Sequence, residues 1–150
     1  YTKSNALLNK HNIEALNSVM IGLPGETEEN VWKTLNFLSK AREVKQANFA
    51  IATPYPGTKF HEMAISGEGG MKLVSDNFTE YKRYGQAVTK VNNLGPNDLV
   101  RLQNEGFVSI YIKHWRWWSV VKKHGIIGLI LTFYRIIIMF KDKIKYNYSV

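Results

Sequence analysis

The sequence predicts an α/β fold in which two consecutive strand–turn–helix units form part of a (β/α) barrel, followed by a helical C-terminal tail. Two runs predict it, residues 20–29 (MIGLPGETEE) and 51–58 (IATPYPGT), because each joins a strand end to a Pro/Gly turn and a helix start. A third observation is the apolar stripe of Val31, Leu35 and Leu38 between them, which suits a helix that covers a sheet. Parallel barrels place their chemistry at the carboxyl ends of their strands, so these turns are the candidate site.

Local signals predict the first elements in order. Residues 5–11 are expected to end a helix, and residues 13–21 to form a strand that becomes continuously apolar toward its end, as buried parallel strands do. Thr27 is a suitable N-cap for the next helix, and Glu28 and Glu29 in its first turn suit the helix dipole.

The second unit begins with a strand expected over residues 46–52. Thr58 is expected to cap a short helix that runs to about Ile65. Glycines then mark residues 66–77 as a loop, and a short strand is expected over residues 87–91.

A longer helix follows. Pro96 occupies a good first helical position with Asp98 behind it, and the apolar pattern continues to about residue 113. We therefore expect a barrel piece over residues 1–92 and a helical C-terminal extension over residues 93–150.

Composition limits the chemistry and locates the basic charge. The chain has no cysteine, which excludes disulfides, cysteine-bound zinc and iron–sulfur ligation within it. Its formal net charge is +8, and residues 101–150 contain 9 Lys/Arg against 2 Asp/Glu, whereas residues 1–100 contain 11 against 10. The basic excess belongs to the C-terminal part and indicates a polyanionic neighbour, such as anionic lipid, nucleic acid or an acidic partner.

Backbone groups at the two turns are the candidate ligand contacts. Glycine allows close approach of a ligand, and the helix N-terminus that follows adds partial positive charge, which suits a nucleoside or an amino-acid carboxylate. Neither turn has the spacing of a P-loop or a dinucleotide fingerprint. By spacing alone, an ordinary helix start or a stiff loop is favoured at each turn over a ligand contact, and both interpretations stay open.

Together the two runs resemble the late barrel strands of radical S-adenosylmethionine enzymes, in the branch that often carries an upstream cobalamin-binding domain. Residues 92–113 are similar to the helix after the barrel in that branch, so the resemblance covers roughly residues 5–114. It implies that both strand ends line the adenosyl group of S-adenosylmethionine. The implied contacts are Met20, Ile21, Gly22, Pro24, Gly25 and Glu26 from the first run and Ile51, Ala52, Thr53 and Pro54 from the second. For Glu26, a solvated first-turn carboxylate is the open alternative.

The resemblance also implies cofactors that this chain does not hold by itself. The family's Cys-x3-Cys-x2-Cys motif is absent, and Gly95 stands where the family usually has Ser before Pro. The expected cofactors are S-adenosylmethionine, a [4Fe–4S] cluster with its ligands outside this chain, and optionally cobalamin in an upstream domain. We therefore expect a piece of a longer protein, inert alone, whose partner is the N-terminal remainder of the same polypeptide.

The implied activity is radical methyl transfer or a cyclisation or rearrangement, as in the group that includes the anaerobic magnesium-protoporphyrin ester cyclase. The substrate is expected to be a small or lipid-like molecule. The alternative function is a non-catalytic membrane-surface association module on an α/β scaffold.

The tail over residues 115–145 is basic and apolar. Its apolar run over residues 125–140 is shorter than the roughly 20 residues that a spanning helix needs, so an interfacial helix on an anionic membrane is one expectation. Packing on the barrel is equally open, nucleic acid is not expected as a partner, and the expected location is cytoplasmic or peripheral at the inner face of the cell membrane. The membrane-interface candidates are Trp115, Trp117, Trp118, Lys122, Lys123, Arg135 and Lys141.

Overall fold

The computed structural model describes residues 1–112 and Ile130. Its first half alternates helices and strands, in the order α1 (Thr2–Lys10), β1 (Leu16–Ile21), α2 (Glu28–Lys40), β2 (Gln46–Ile51) and α3 (Lys59–Ser66). The second half contains two short strands and a helix that ends in a π-helical turn, in the order β3 (Met71–Leu73), β4 (Thr89–Val91), α4 (Pro96–Phe107) and the turn Val108–Ile112. Single 3₁₀ turns lie at Glu68–Gly70 and Phe78–Glu80.

Strands β1 and β2 pair in parallel and in register, from Leu16 opposite Gln46 to Ile21 opposite Ile51. Helix α2 connects them, and because Ile21 pairs with Ile51 the two strands end at the same level of the sheet. Strands β3 and β4 form a separate antiparallel pair.

The two faces of the parallel sheet differ because side chains alternate along a strand. Ile21, Phe49 and Ile51 point into the main core and are almost completely buried. On the opposite face, Leu16 and Met20 are more than half exposed, at 59% and 51%. The predicted stripe of α2 is confirmed, since its members belong to the core. The residues that complete this core are Val31, Leu35, Leu38, Ala41, Val44, Ala47, Leu94, Leu99, Leu102 and Ile110.

Local signals for helix starts are confirmed at both predicted caps. The side chain of Thr27 accepts a hydrogen bond from the N–H of Asn30 at 3.3 Å, and that of Thr58 accepts one from the N–H of His61 at 3.2 Å. Pro96 is the first residue of α4, as predicted.

Several predicted elements differ in extent, and the strand expected over residues 87–91 covers only Thr89–Val91. The strand expected from residue 13 begins at Leu16, and Ile13 before it is exposed. Residues 66–77, expected to be a loop throughout, contain β3, whose Met71 packs against Ala64 and Val91 in a small second core. A strand of three residues is too short for its alternation to appear in a sequence pattern.

The two edges of the parallel sheet are also unlike. On the outer edge of β2, main-chain groups bond to later parts of the chain. The N–H of Ala47 donates to Tyr111 Oη at 3.2 Å, and the N–H of Ile51 donates to the carbonyl of Arg83 at 2.9 Å. These bonds close the edge of β2 without a neighbouring strand.

The outer edge of β1 has no such closure among residues 1–112. The carbonyl of Ile21 accepts from the N–H of Ala52 at 2.8 Å, so Ile21 directs its main chain toward β2. Since direction alternates, Ser18 and Met20 direct their main-chain groups the other way. In the described part of the chain β1 has β2 as its only strand neighbour, so this edge is open.

The membrane-interface candidates of the tail lie outside the described residues. Within residues 1–112 and at Ile130, the structure shows no helix with the length and apolar character needed to cross a bilayer.

Candidate functional site

The parallel register brings the two predicted ligand turns to one end of the sheet. Ile21 and Ile51 are opposite each other as the last residues of their strands, and each strand then leaves the sheet through a Pro/Gly turn. We call this end of the sheet, formed by residues 20–26 and 51–54, the mouth.

Side chains at the mouth divide by burial. Ile21 and Ile51 are each 1% exposed and Ala52 is 3% exposed, so their side chains belong to the interior and only their main chains reach the mouth. Met20 is exposed on the open face. Of the other predicted contacts, Gly22 and Pro54 are buried and Gly25 is exposed. Pro24, Glu26 and Thr53 are half-buried.

The Gly-Leu-Pro-Gly turn is held in shape by its own acidic residue. Gly22 and Gly25 have positive φ angles of 87° and 75°, a conformation that glycine adopts without strain. The carboxylate Oε2 of Glu26 accepts hydrogen bonds from the N–H of Gly22 and, at 3.2 Å, from that of Leu23. In this arrangement Glu26 is engaged with the turn, and these N–H groups are not directed at a ligand carboxylate.

The second turn is tied by hydroxyl groups. Thr53 Oγ1 donates to the carbonyl of Ile51 at 3.3 Å and lies 3.4 Å from that of Lys82, and Thr58 Oγ1 donates to the carbonyl of Tyr55 at 2.6 Å. These bonds fix the chain direction between the end of β2 and the start of α3.

An aromatic group borders the second turn. The ring of Tyr55 lies 6.1 Å from that of Tyr81, which lies 5.2 Å from that of Phe78. Burial and the negative charge of Asp76 raise the pKa of Tyr81 above its ordinary value. Tyr55 and Phe78 remain exposed to solvent beside the mouth.

The start of α2 carries an ion pair. Arg101 of α4 donates to Glu28 Oε1 at 2.8 Å, and Trp32 Nε1 donates to the same oxygen at 3.2 Å. These hydrogen bonds, the one from Arg101 first, lower the pKa of Glu28. The ion pair of Glu28 and Arg101 joins the start of α2 to α4.

A cleft of about 420 Å³ lies next to this pair, and none of the predicted contacts lines it. Its carboxylates make it unsuited to an anionic group. Its lining residues are Thr27, Glu28, Glu29, Asn92, Asn93, Leu94 and Asp98.

Metal ligation was not predicted within this chain. In the part that the structure describes, no group of three or more His, Asp or Glu side chains is placed to hold a metal ion.

Sequence reasoning missed the residues that support the first turn from behind. The N–H of Gly25 donates to the carbonyl of Gly69 at 2.7 Å, and Asn92 Nδ2 donates to the carbonyl of Glu26 at 2.8 Å. The one available signal was the Asn-Asn pair at residues 92–93, because asparagine tolerates the left-handed conformation that Asn92 adopts, with φ 52°.

Comparison with known proteins shows a partial similarity. Over 104 residues, 69% of its length, the chain is 34% identical to a Pyrococcus horikoshii protein described as an uncharacterized methyltransferase. The matched segment spans only 22% of that relative's length. No protein-family model matches the sequence. The chain is thus similar, over most of its length, to about a fifth of a much longer protein described as a methyltransferase.

Proposed function

We propose that this chain is the late part of the barrel of an S-adenosylmethionine-dependent enzyme of the radical type, with methyl transfer as its reaction. In this proposal the mouth binds the adenosyl side of S-adenosylmethionine. The similarity to a protein described as a methyltransferase supports the reaction class. The radical type rests on the resemblance of the two turn motifs.

The observation that carries the proposal is the pairing of Ile21 with Ile51 at the ends of β1 and β2. Two motifs that are 30 residues apart in the sequence are adjacent in space because of this register. A ligand placed at the mouth would therefore meet both turns, as a shared adenosyl site requires.

The open edge of β1 and the open sheet face support the barrel part of the proposal. An internal strand of a partial barrel has a neighbour on both sides, whereas a terminal strand, as β2 with its closed outer edge would be, has only one. The inward face of such strands is covered by the rest of the barrel. Strand β1 lacks one neighbour within the described residues, and Leu16 and Met20 are exposed on the face that a barrel would enclose. Strands from a longer polypeptide would supply the missing neighbour of β1 and would cover this face.

The residues at the mouth fit an adenosyl group in character. Met20 offers an exposed apolar side chain, Thr53 a hydroxyl, and Gly25 an exposed backbone that allows close approach. S-adenosylmethionine supplies an activated methyl group when bound. The chain has no cysteine, so the iron–sulfur cluster of the radical type would be held by residues outside it.

The test is to express the complete reading frame that encodes this chain, without oxygen, and to measure S-adenosylmethionine binding by calorimetry. The proposal expects saturable binding and an in-frame Cys-x3-Cys-x2-Cys motif upstream of Tyr1. Substitution of Thr53→Val and Met20→Asp should weaken binding, and Ser4→Ala on exposed α1 should not. Absence of binding would overturn the proposed function, and binding without the motif would overturn its radical type.

A further inference from the structure

The first turn of the mouth is supported by a group of residues from the region around strands β3 and β4. Gly69 and Gly70 lie just before β3, and Asn92 directly follows β4. We call these residues the clamp. Because β3 and β4 pair, they hold the two sides of the clamp next to each other.

Glycine is required on one side of the clamp because the backbones approach closely. A Cβ added at Gly69 would lie 2.7 Å from the Cβ of Pro24, and one added at Gly70 would lie 1.9 Å from Asn92 Oδ1. Both positions also have positive φ angles, 65° and 72°. Gly69 therefore packs its main chain directly against the turn, and Gly70 packs against Asn92.

Asn92 forms the other side and bonds in two directions. Its N–H donates to the carbonyl of Gly70 at 2.7 Å, and its side chain donates from Nδ2 to the carbonyl of Glu26 at 2.8 Å. Asn92 is thus fixed to the clamp by its main chain and to the turn by its side chain.

The bond to Glu26 reaches the end of β1 in one further step. The carboxylate of Glu26 accepts from the N–H groups of Gly22 and Leu23, which are the first residues after the strand. A displacement of Glu26 would therefore alter the path of the chain where β1 leaves the sheet.

We infer that Asn92 is a positioning residue, which holds the Gly-Leu-Pro-Gly turn in the conformation that binds ligand at the mouth. The inference rests on the proposed function, and it assigns no contact between Asn92 and the ligand. Asn92 would act through Glu26.

Two substitutions separate the side chain of Asn92 from its backbone conformation. Asn92→Gly removes the side-chain bond but keeps the left-handed φ without strain. Asn92→Asp keeps the size of the side chain but places a carboxylate oxygen against the carbonyl oxygen of Glu26, where a donor is needed. Asn93→Ala is the matched control, because Asn93 is the neighbouring exposed asparagine.

The experiment measures the Kd for S-adenosylmethionine and the Tm of each variant of the complete protein. One lost hydrogen bond of about 1 kcal/mol corresponds to roughly a fivefold rise in Kd for Asn92→Gly, and Asn92→Asp should weaken binding further. Asn93→Ala should leave Kd unchanged. The binding temperature is kept well below every Tm, so that unfolded protein does not contribute.

The outcomes are distinct. If the unchanged protein binds and Asn92→Gly binds equally well, with only a lower Tm, Asn92 is merely structural and the inference is overturned. If the unchanged protein does not bind, the proposed function is overturned, and the positioning role falls with it.

Discussion

The side-chain amide of Gln103 in α4 closes the edge of β2 by donating from Nε2 to the carbonyl of Phe49 at 2.6 Å. The same nitrogen donates to the carbonyl of Arg83 at 2.9 Å, and Gln103 Oε1 accepts from the N–H of Gly85 at 2.8 Å. Gln103 is fully buried, so a single polar side chain joins a strand, a loop and a helix inside the protein.

Replacing Gln103 by leucine should destabilise the fold. The change introduces an apolar side chain of similar size but leaves the buried carbonyl of Phe49 without its partner, which costs about 1–3 kcal/mol. The free energy of unfolding from urea titration measures the effect. Asn97→Ala, at an exposed position of the same helix, is the control and should change stability by less than about 0.5 kcal/mol. If Gln103→Leu and the unchanged chain were equally stable, Gln103 would not stabilise the fold by closing the edge of β2.

Alanine at Gly106 should also destabilise the fold, although alanine normally stabilises a helix interior by about 1 kcal/mol relative to glycine. A Cβ at Gly106 would lie 2.8 Å from the ring of Phe49, which is fully buried. We expect a net loss of about 1–3 kcal/mol from overpacking, measured by urea titration. A stabilised Gly106→Ala variant would show that the contact between α4 and β2 is looser than the structure has it.

The edge of β1, which is unpaired among residues 1–112, should make the isolated 150-residue chain self-associate, because an unpaired edge offers free main-chain groups. Ser18→Pro should reduce this association and keep the fold, since the N–H that it removes points away from β2. Val19→Pro is the matched control and should unfold the sheet, since its N–H points toward β2. Sedimentation velocity over a range of concentrations, with circular dichroism for folding, measures both effects. A chain that stays monomeric at every concentration would be evidence against an open edge.

The ion pair of Glu28 and Arg101 gives a pH dependence with a defined sign. The pKa of Glu28 is lowered in the folded state, so its stabilising contribution is present above the ordinary pKa of 4.5 and is lost as the pH falls through the folded value. Glu28→Gln should therefore reduce the loss of stability in acid, and Glu29→Gln, one residue along, should not. Urea titrations between about pH 3 and pH 7 measure this difference. An identical acid dependence in Glu28→Gln and the unchanged chain would exclude the pair as its source.

Much of the local structure was predictable from the sequence, whereas the contacts that support the mouth were not. The caps Thr27 and Thr58 each accept a hydrogen bond from the N–H three residues further along, so a short sequence pattern is enough to predict them. The bond from Asn92 to Glu26 spans 66 residues, and that from Gln103 to Phe49 spans 54. Neither residue belongs to a periodic pattern, and both are ordinary polar residues until the fold brings their partners close.

The closure of the outer edge of β2 by residues later in the chain also has a consequence for synthesis. Tyr111 reaches Ala47 across 64 residues, so the ribosome releases the strand long before it releases the residue that closes its edge. Until then the nascent sheet can accept a wrong strand on that side. Once Tyr111 and Gln103 are in place, the outer edge of β2 can accept no further strand, and β2 becomes the terminal strand on that side of the sheet.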